Sequence, residues 1–182
     1  KDRLRVKTMK GVISPQLTAD GRVTVDMGAP GLDWQDIPLS SAMDTIAIDL
    51  SASAGLQSPG CVSMGNPHVV FFVPDAEAAP VTTAGPIIEH HSLFPEGVNV
   101  GFAQIIAPDR IRLRVWERGA GLTKACGTGA CAALVAAHRQ GLVDRRATLV
   151  MDGGELVIDW READGHVLMT GAVETEFEGL LP

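Results

Sequence analysis

Residues 116–140 constrain the fold of this chain more than any other part of its sequence. The stretch opens with a charged pair, continues through a glycine-rich turn to Cys126, and ends in an apolar run over residues 130–137. Because that run is apolar on every side, it predicts a buried helix rather than an amphipathic one. Gly141 follows as the glycine that ends the helix.

This order predicts a strand, a loop, a cysteine and a helix, with Cys126 at the helix N-terminus. The first amides of such a helix lack intrahelical partners, so they attract anions and lower the pKa of a neighbouring thiol. Here those amides belong to Gly127, Thr128 and Gly129. A thiol beside an anion-binding terminus indicates a chemical site, whereas Cys61 and Cys131 are interpreted as packing residues.

The composition narrows the class of protein. The chain has 182 residues, is 46% hydrophobic and carries a formal net charge of -7, which is typical of a globular protein and argues against a nucleic-acid surface. No apolar run approaches the length of a membrane span, and no signal peptide is recognisable. Three cysteines without framework spacing indicate reduced thiols and a cytoplasmic location. Without CxxC, HExxH or a paired Cys/His set of metal-ligand spacing, a metal site is not expected.

Alternating polar and apolar residues predict strands along most of the chain. A turn at residues 18–21 predicts a hairpin between strands at 4–12 and 22–27. Further strands are expected at residues 44–50, 69–73, 98–107, 110–116, 147–151, 155–161 and 167–170, with a last strand at 171–181 and a short helix at 86–91. The predicted architecture is a curved, mostly antiparallel sheet wrapped around one buried helix, an α+β fold.

Three separated patterns carry a resemblance to a known family: GNPHVVFFV at residues 65–73, NVGFAQI at 99–105 and WERGAGLTKACGTGACAA at 116–133. Together they resemble the diaminopimelate epimerase family, and the resemblance extends over essentially all 182 residues. It implies a fold of two pseudo-symmetric halves, each a barrel-like sheet around a central helix, with the substrate bound in the cleft between them.

The resemblance also implies a domain organisation. Residues 1–27 would end a truncated N-terminal domain, residues 28–170 would form the C-terminal catalytic domain, and residues 171–182 would return to the first domain. The family's first half carries a cysteine in a CGNG-type motif, and no such motif occurs here. The chain is therefore expected to lack the N-terminal part with the first catalytic cysteine, and to be inactive alone.

The implied activity is pyridoxal-phosphate-independent interconversion of LL- and meso-diaminopimelate by two cysteines, in lysine and peptidoglycan precursor synthesis. By resemblance Cys126 is one catalytic thiol, and the enzyme is a cytoplasmic homodimer without a cofactor, a membrane or a nucleic-acid partner. The same resemblance makes His68 and Glu117 modulators of the thiol pKa values. It assigns substrate binding to Asn66, Asn99, Glu117, Arg118, Gly127 and Thr128.

Each position has a structural alternative. Asn66 before Pro67 is also typical of a turn, Asn99 of a strand edge, and His68 of a buried histidine. Arg118 is also compatible with a surface ion pair. At the level of function, the alternatives are a proline racemase-type or PhzF-like isomerase of the same fold, or a catalytically dead remnant.

Overall fold

A computed structural model describes residues 3–8, 11–50 and 55–174 of the chain. Within these residues the fold consists of two helices, α1 (Val81–Glu89) and α2 (Gly127–Arg139), and twelve strands. The strands are β1 (Val6–Thr8), β2 (Gly11–Ile13), β3 (Gln16–Leu17), β4 (Val23–Asp26), β5 (Gly60–Ser63), β6 (Pro67–Phe72), β7 (Asn99–Ala107), β8 (Arg110–Glu117), β9 (Gly121–Thr123), β10 (Arg146–Met151), β11 (Gly154–Trp160) and β12 (Val167–Gly171).

Ten of these strands form one sheet in the order β3-β4-β12-β11-β10-β8-β7-β6-β5, and β9 pairs with β8 beside this path. The pairs β10–β8 and β6–β7 are parallel, and the other pairs in the sheet are antiparallel. Strands β1 and β2 form a separate antiparallel pair. The α+β class with a mostly antiparallel sheet is thereby confirmed.

Helix α2 lies in the concave side of the sheet, because it contacts strands from both halves of the strand order, β5 to β8 and β10 to β12. The nine residues from Gly129 to Ala137 are all buried, as the apolar run predicts. The helix ends in a Schellman motif: Leu142 N–H bonds to the Ala137 carbonyl and Gly141 N–H to the His138 carbonyl. Gly141 has φ +73° and so ends the helix as predicted.

The strands between β5 and β8 separate two apolar cores. On one face, Val70, Ala103 and Leu113 pack in the core that contains α2. On the other face, Phe71 and Phe102 pack in the core that contains α1. Because consecutive strand residues point to opposite faces, this alternation places α1 and α2 on opposite sides of the sheet.

The structure changes several of the predicted elements. Residues 44–50 contain no strand: Ile48 and Leu50 are buried, but the Ile48 amide bonds to the Pro59 carbonyl and the Leu50 amide to the Ile48 carbonyl. The predicted strand at 4–12 is split into β1 and β2, which pair with each other, and the hairpin around residues 18–21 is formed by β3 and β4. Helix α1 starts five residues before its predicted start.

The remaining predicted strands are confirmed within one or two residues, including the hairpin of β10 and β11 around Asp152 and Gly153. The predicted tail strand starts at Gly171, which ends β12, and residues 175–182 lie outside the described part of the chain. No helix within the described residues is long and apolar enough to cross a membrane.

Candidate active site

Cys126 is the N-cap residue of α2, with an extended backbone (φ -142°, ψ 103°) that turns the chain from the β9 loop into the helix. The first helical hydrogen bond runs from the Ala130 amide to the Cys126 carbonyl. Gly129 leaves room for this arrangement, because a Cβ there would lie 3.1 Å from the Cys126 Sγ and 3.3 Å from Val115 Cγ2, closer than most carbon contacts. The predicted strand, loop, cysteine and helix are therefore all present.

The thiol of Cys126 has a raised pKa, which contradicts the lowered value expected from the helix terminus. Burial raises the pKa to about 11, the contacts with the Gly129 amide and the Thr128 hydroxyl lower it, and the charge of Glu117 raises it further. The side chain is almost covered, since Cys126 is only 5% exposed. Desolvation of the thiolate therefore outweighs the helix amides.

The other two cysteines are free and fully buried, Cys61 in the α1 core and Cys131 in the α2 core. Burial raises the pKa of each thiol to about 12. The charge of Arg139 partly offsets this effect at Cys61, although nothing near Cys61 in the sequence predicts that cation. Of the three thiols, Cys126 is the most acidic and the most accessible.

A small polar cluster lies beside the thiol at the start of α2. The Thr128 hydroxyl is 3.7 Å from the Cys126 Sγ and 3.2 Å from His68 Nε2, and it accepts a hydrogen bond of 3.3 Å from Asn66 Nδ2. His68 is buried, which lowers the pKa of its imidazole to about 3, with a further contribution from the Arg118 charge. His68 is therefore neutral near pH 7 and reaches the thiol only through Thr128.

Glu117 ends β8, and Arg118 begins the turn that leads to β9. Glu117 accepts a 2.5 Å hydrogen bond from the Thr123 hydroxyl. The Arg118 guanidinium is exposed and donates to the Glu96 carbonyl at 2.9 Å. Arg118 thus contacts the turn before β7, and it forms no ion pair with any residue that the structure describes.

Asn99 is buried and links two of the predicted segments. Its Nδ2 donates to the Pro67 carbonyl at 2.8 Å, and its Oδ1 accepts the Arg118 amide at 3.0 Å. Asn99 therefore holds the backbone at Pro67 and at Arg118, each of which belongs to one of the other two sequence patterns. Its position at the start of a strand does not predict these two hydrogen bonds.

Sequence reasoning missed two residues that shape this region. Thr123 binds Glu117, and Glu89 at the end of α1 binds Trp116 and Gly119 on either side of the charged pair. An acidic residue in a short helix gives no sequence signal for such a role, because its usual position is the solvated face.

The geometry combines a protonated thiol, the N-terminal amides of α2 and the Arg118 cation. The amides at the start of α2 suit an anionic group such as a carboxylate, and the Arg118 fork suits a second carboxylate. The Cys126 thiol can give or take a proton. This arrangement fits acid–base chemistry on a small molecule that carries two charged ends.

A family model described as diaminopimelate epimerase matches residues 60–176. Curated relatives named diaminopimelate epimerase include one from Phenylobacterium zucineum (strain HLK1), 62% identical over 100% of this chain and 66% of its own length. Another, from Caulobacter sp. (strain K31), is 58% identical over 100% of the chain and 65% of its own length. The chain thus spans slightly less than two thirds of these relatives.

Similar solved structures show the same fold at low identity. A PhzF-family phenazine biosynthesis protein from Bacillus anthracis has a TM-score of 0.62 at 14% identity, covering 94% of this chain and 66% of its own. A hydroxyproline epimerase from Agrobacterium vitis has a TM-score of 0.61 at 16% identity, covering 94% of this chain and 57% of its own.

Proposed function

Since the chain belongs to the diaminopimelate epimerase family, we propose that it carries one of the two thiols of an enzyme that interconverts LL- and meso-diaminopimelate. The observation that carries the proposal is the position of Cys126, at the start of a buried helix between the Thr128 hydroxyl and the Glu117 carboxylate. The proposed reaction exchanges the proton on the α-carbon and uses no pyridoxal phosphate.

In the proposed mechanism Cys126 works as acid in one direction and base in the other. With a pKa of about 11 the free thiol is protonated near neutral pH, so it is ready to deliver a proton to one face of the α-carbon. In the reverse direction its thiolate removes the same proton, and a high pKa makes that thiolate a strong base. The partner thiol performs the complementary step on the other face, so each turnover leaves the proton count unchanged.

The helix amides would stabilise the charge that develops when the α-proton leaves. Electrons from the broken C–H bond spread into the α-carboxylate, where the amides of Gly127 and Thr128 can bind the added negative charge. Thr128, which His68 contacts, and Glu117 would set the pKa of the thiol in opposite directions.

The distal amino-acid head of diaminopimelate would bind around Arg118. Its guanidinium can form paired hydrogen bonds with a carboxylate, while Asn66 and Asn99 are the candidates for the distal polar contacts. In the structure Asn99 Oδ1 already accepts the Arg118 amide, so Asn99 would also act by placing Arg118.

The second thiol would have to come from outside these residues. Cys61 and Cys131 are 0% exposed and lie in the two apolar cores, so neither can face the substrate of Cys126. We propose that residues 1–27 and 171–182 belong with the first domain, which supplies that thiol, and that residues 28–170 form the catalytic domain with Cys126. We further propose a cytoplasmic homodimer that serves lysine and peptidoglycan precursor synthesis.

The test measures deuterium uptake at the α-carbon and LL-to-meso conversion of diaminopimelate in D₂O. The 182-residue chain alone should be inactive, and the chain joined to a first domain with its cysteine should be active. Cys126→Ser should abolish conversion in the active protein, whereas Cys61→Ala should retain it. Turnover of proline or hydroxyproline in place of diaminopimelate would refute the proposed substrate.

A further inference from the structure

Glu89 is a buried carboxylate that the proposed mechanism does not use. It is the last residue of α1 and only 5% exposed. Burial of a carboxylate is costly unless hydrogen bonds compensate, and here both oxygens are occupied. Oε2 accepts the Trp116 indole N–H at 2.7 Å, and Oε1 accepts the Gly119 backbone N–H at 2.8 Å.

These hydrogen bonds keep Glu89 ionised despite its burial. Burial by itself raises the pKa of the carboxyl, but the bonds from Trp116 and Gly119 outweigh it and leave the pKa below its usual range. His90 Nε2 lies 3.8 Å from Oε1 on a largely exposed side chain, and the Arg118 charge contributes less to the lowered pKa than the two hydrogen bonds do. Glu89 is therefore held mainly by two neutral donors, which fix the position of its carboxylate.

The two donors lie on either side of Glu117 and Arg118 in the chain. The Trp116 ring packs directly against Gly85 of α1, where a Cβ would lie only 2.6 Å from the ring. This close contact holds the ring in place. At Gly119 the backbone has φ +75°, a conformation that favours glycine, and so turns the chain toward β9. Glu89 thus fixes the turn at one side chain and one backbone amide, with the charged pair between them.

The main chain of Glu89 holds the surface on which Arg118 rests. Its carbonyl accepts the Val98 amide at 3.2 Å, which closes the turn that contains Glu96 and Gly97. The Arg118 guanidinium donates to the Glu96 carbonyl at 2.9 Å, and a Cβ at Gly97 would lie 3.1 Å from Arg118 Cδ. Glu89 therefore helps to position both the backbone and the guanidinium of Arg118.

We propose that Glu89 is a positioning residue, which fixes Glu117 and Arg118 relative to Cys126 and thereby sets the affinity for the distal end of the substrate. This inference rests on the proposed function. The relevant change is Glu89→Gln, because glutamine has the same shape but offers only one acceptor oxygen, so either Trp116 or Gly119 loses its partner.

The experiment uses the active protein and compares Glu89→Gln with Ile88→Val, a control in the same helix. Ile88 is 1% exposed, and its shortening loosens the α1 core without touching the turn. Glu89→Gln should lower kcat/KM for diaminopimelate about tenfold to a hundredfold, mainly through KM, since small misplacements of binding groups have effects of this size. Amide exchange over residues 117–121 should rise in Glu89→Gln and not in Ile88→Val.

A double-mutant cycle separates positioning from general destabilisation. If Glu89 acts through Arg118, then Glu89→Gln should add little to the effect of Arg118→Lys on KM, whereas independent effects would multiply. Independent effects, or an unchanged kcat/KM in folded Glu89→Gln, would overturn the inference and leave the proposed function intact. An unmutated protein with no epimerase activity would instead refute the proposed function, and the inference with it.

Discussion

Alkylation of Cys126 should be slow near neutral pH and should rise steeply with pH. Burial raises the pKa of this thiol to about 11, compared with 9.0 for an ordinary cysteine. At pH 8 about one thiol in a thousand is then ionised, against about one in ten for a thiol of pKa 9. Because only the thiolate reacts, the rate constant should be about 100-fold below that of a free cysteine and should rise about tenfold per pH unit up to about pH 10.

The same comparison ranks the three cysteines. The pKa values of Cys61 and Cys131 are raised to about 12, so their thiolate fractions are about tenfold lower again. Both are 0% exposed, whereas Cys126 is 5% exposed. Cys126 should therefore be labelled first, and a diaminopimelate-like ligand should protect it.

The assay is a pH series with limiting iodoacetamide, followed by peptide mapping of the three cysteines. Thr128→Ala is a useful second variant, because the Thr128 hydroxyl lowers the pKa of Cys126 and its loss should slow labelling at a given pH. A rate that is already fast and flat between about pH 6 and 8 would show that the helix terminus prevails over burial. Labelling of Cys61 or Cys131 before Cys126 would refute the ranking.

Three further predictions follow from the same region. Burial lowers the pKa of His68 to about 3, against 6.5 when unfolded, so below pH 6.5 the unfolded state binds a proton that the folded state does not. The free energy of unfolding should therefore fall by about 1.4 kcal/mol per pH unit toward pH 4. Denaturant titrations of His68→Gln should lack this contribution. Gly129→Ala should gain up to about 1 kcal/mol of helix propensity yet crowd the Cys126 thiol at 3.1 Å; melting should change little while epimerase activity falls, and a parallel loss of both would contradict the local effect. Arg118→Lys keeps the charge but loses the fork, so KM should rise by the equivalent of about 1.5–3 kcal/mol, and an unchanged KM would remove Arg118 from the distal site.

The sequence predicts the elements whose signals are local. The apolar run before Gly141 predicts α2 because such a helix must be buried on all sides, and the Asp152 and Gly153 turn predicts the β10–β11 hairpin. Residues 44–50 show the limit of this reasoning. Ile48 and Leu50 are buried and Asp49 between them is exposed, but Ile46 is 38% exposed, so the alternation does not extend over the whole segment. The Ile48 amide bonds to the Pro59 carbonyl and the Leu50 amide to the Ile48 carbonyl, and no periodic pattern specifies such partners.

The site shows the same division between local and tertiary causes. The residues next to Cys126 in the sequence predict its position at the start of a helix, and the structure confirms it. The pKa of the thiol depends on burial and on the nearby charge of Glu117, and the predicted direction was wrong. Glu89 was missed for a related reason, since its partners Trp116 and Gly119 are about thirty residues away in the chain.

The pairing of β4 with β12 has a consequence for how the molecule is made. Thr24 and Thr170 hydrogen-bond across this pair although they are 146 residues apart. Closing so long a loop carries an entropic cost that must be met before the contact is formed, and non-local pairings of this kind slow folding. During synthesis the chain leaves the ribosome from its N-terminal side. Strand β4 can pair with β3 early, but its other edge stays unpaired until β12 has emerged, and an unpaired edge is open to pairing with other chains.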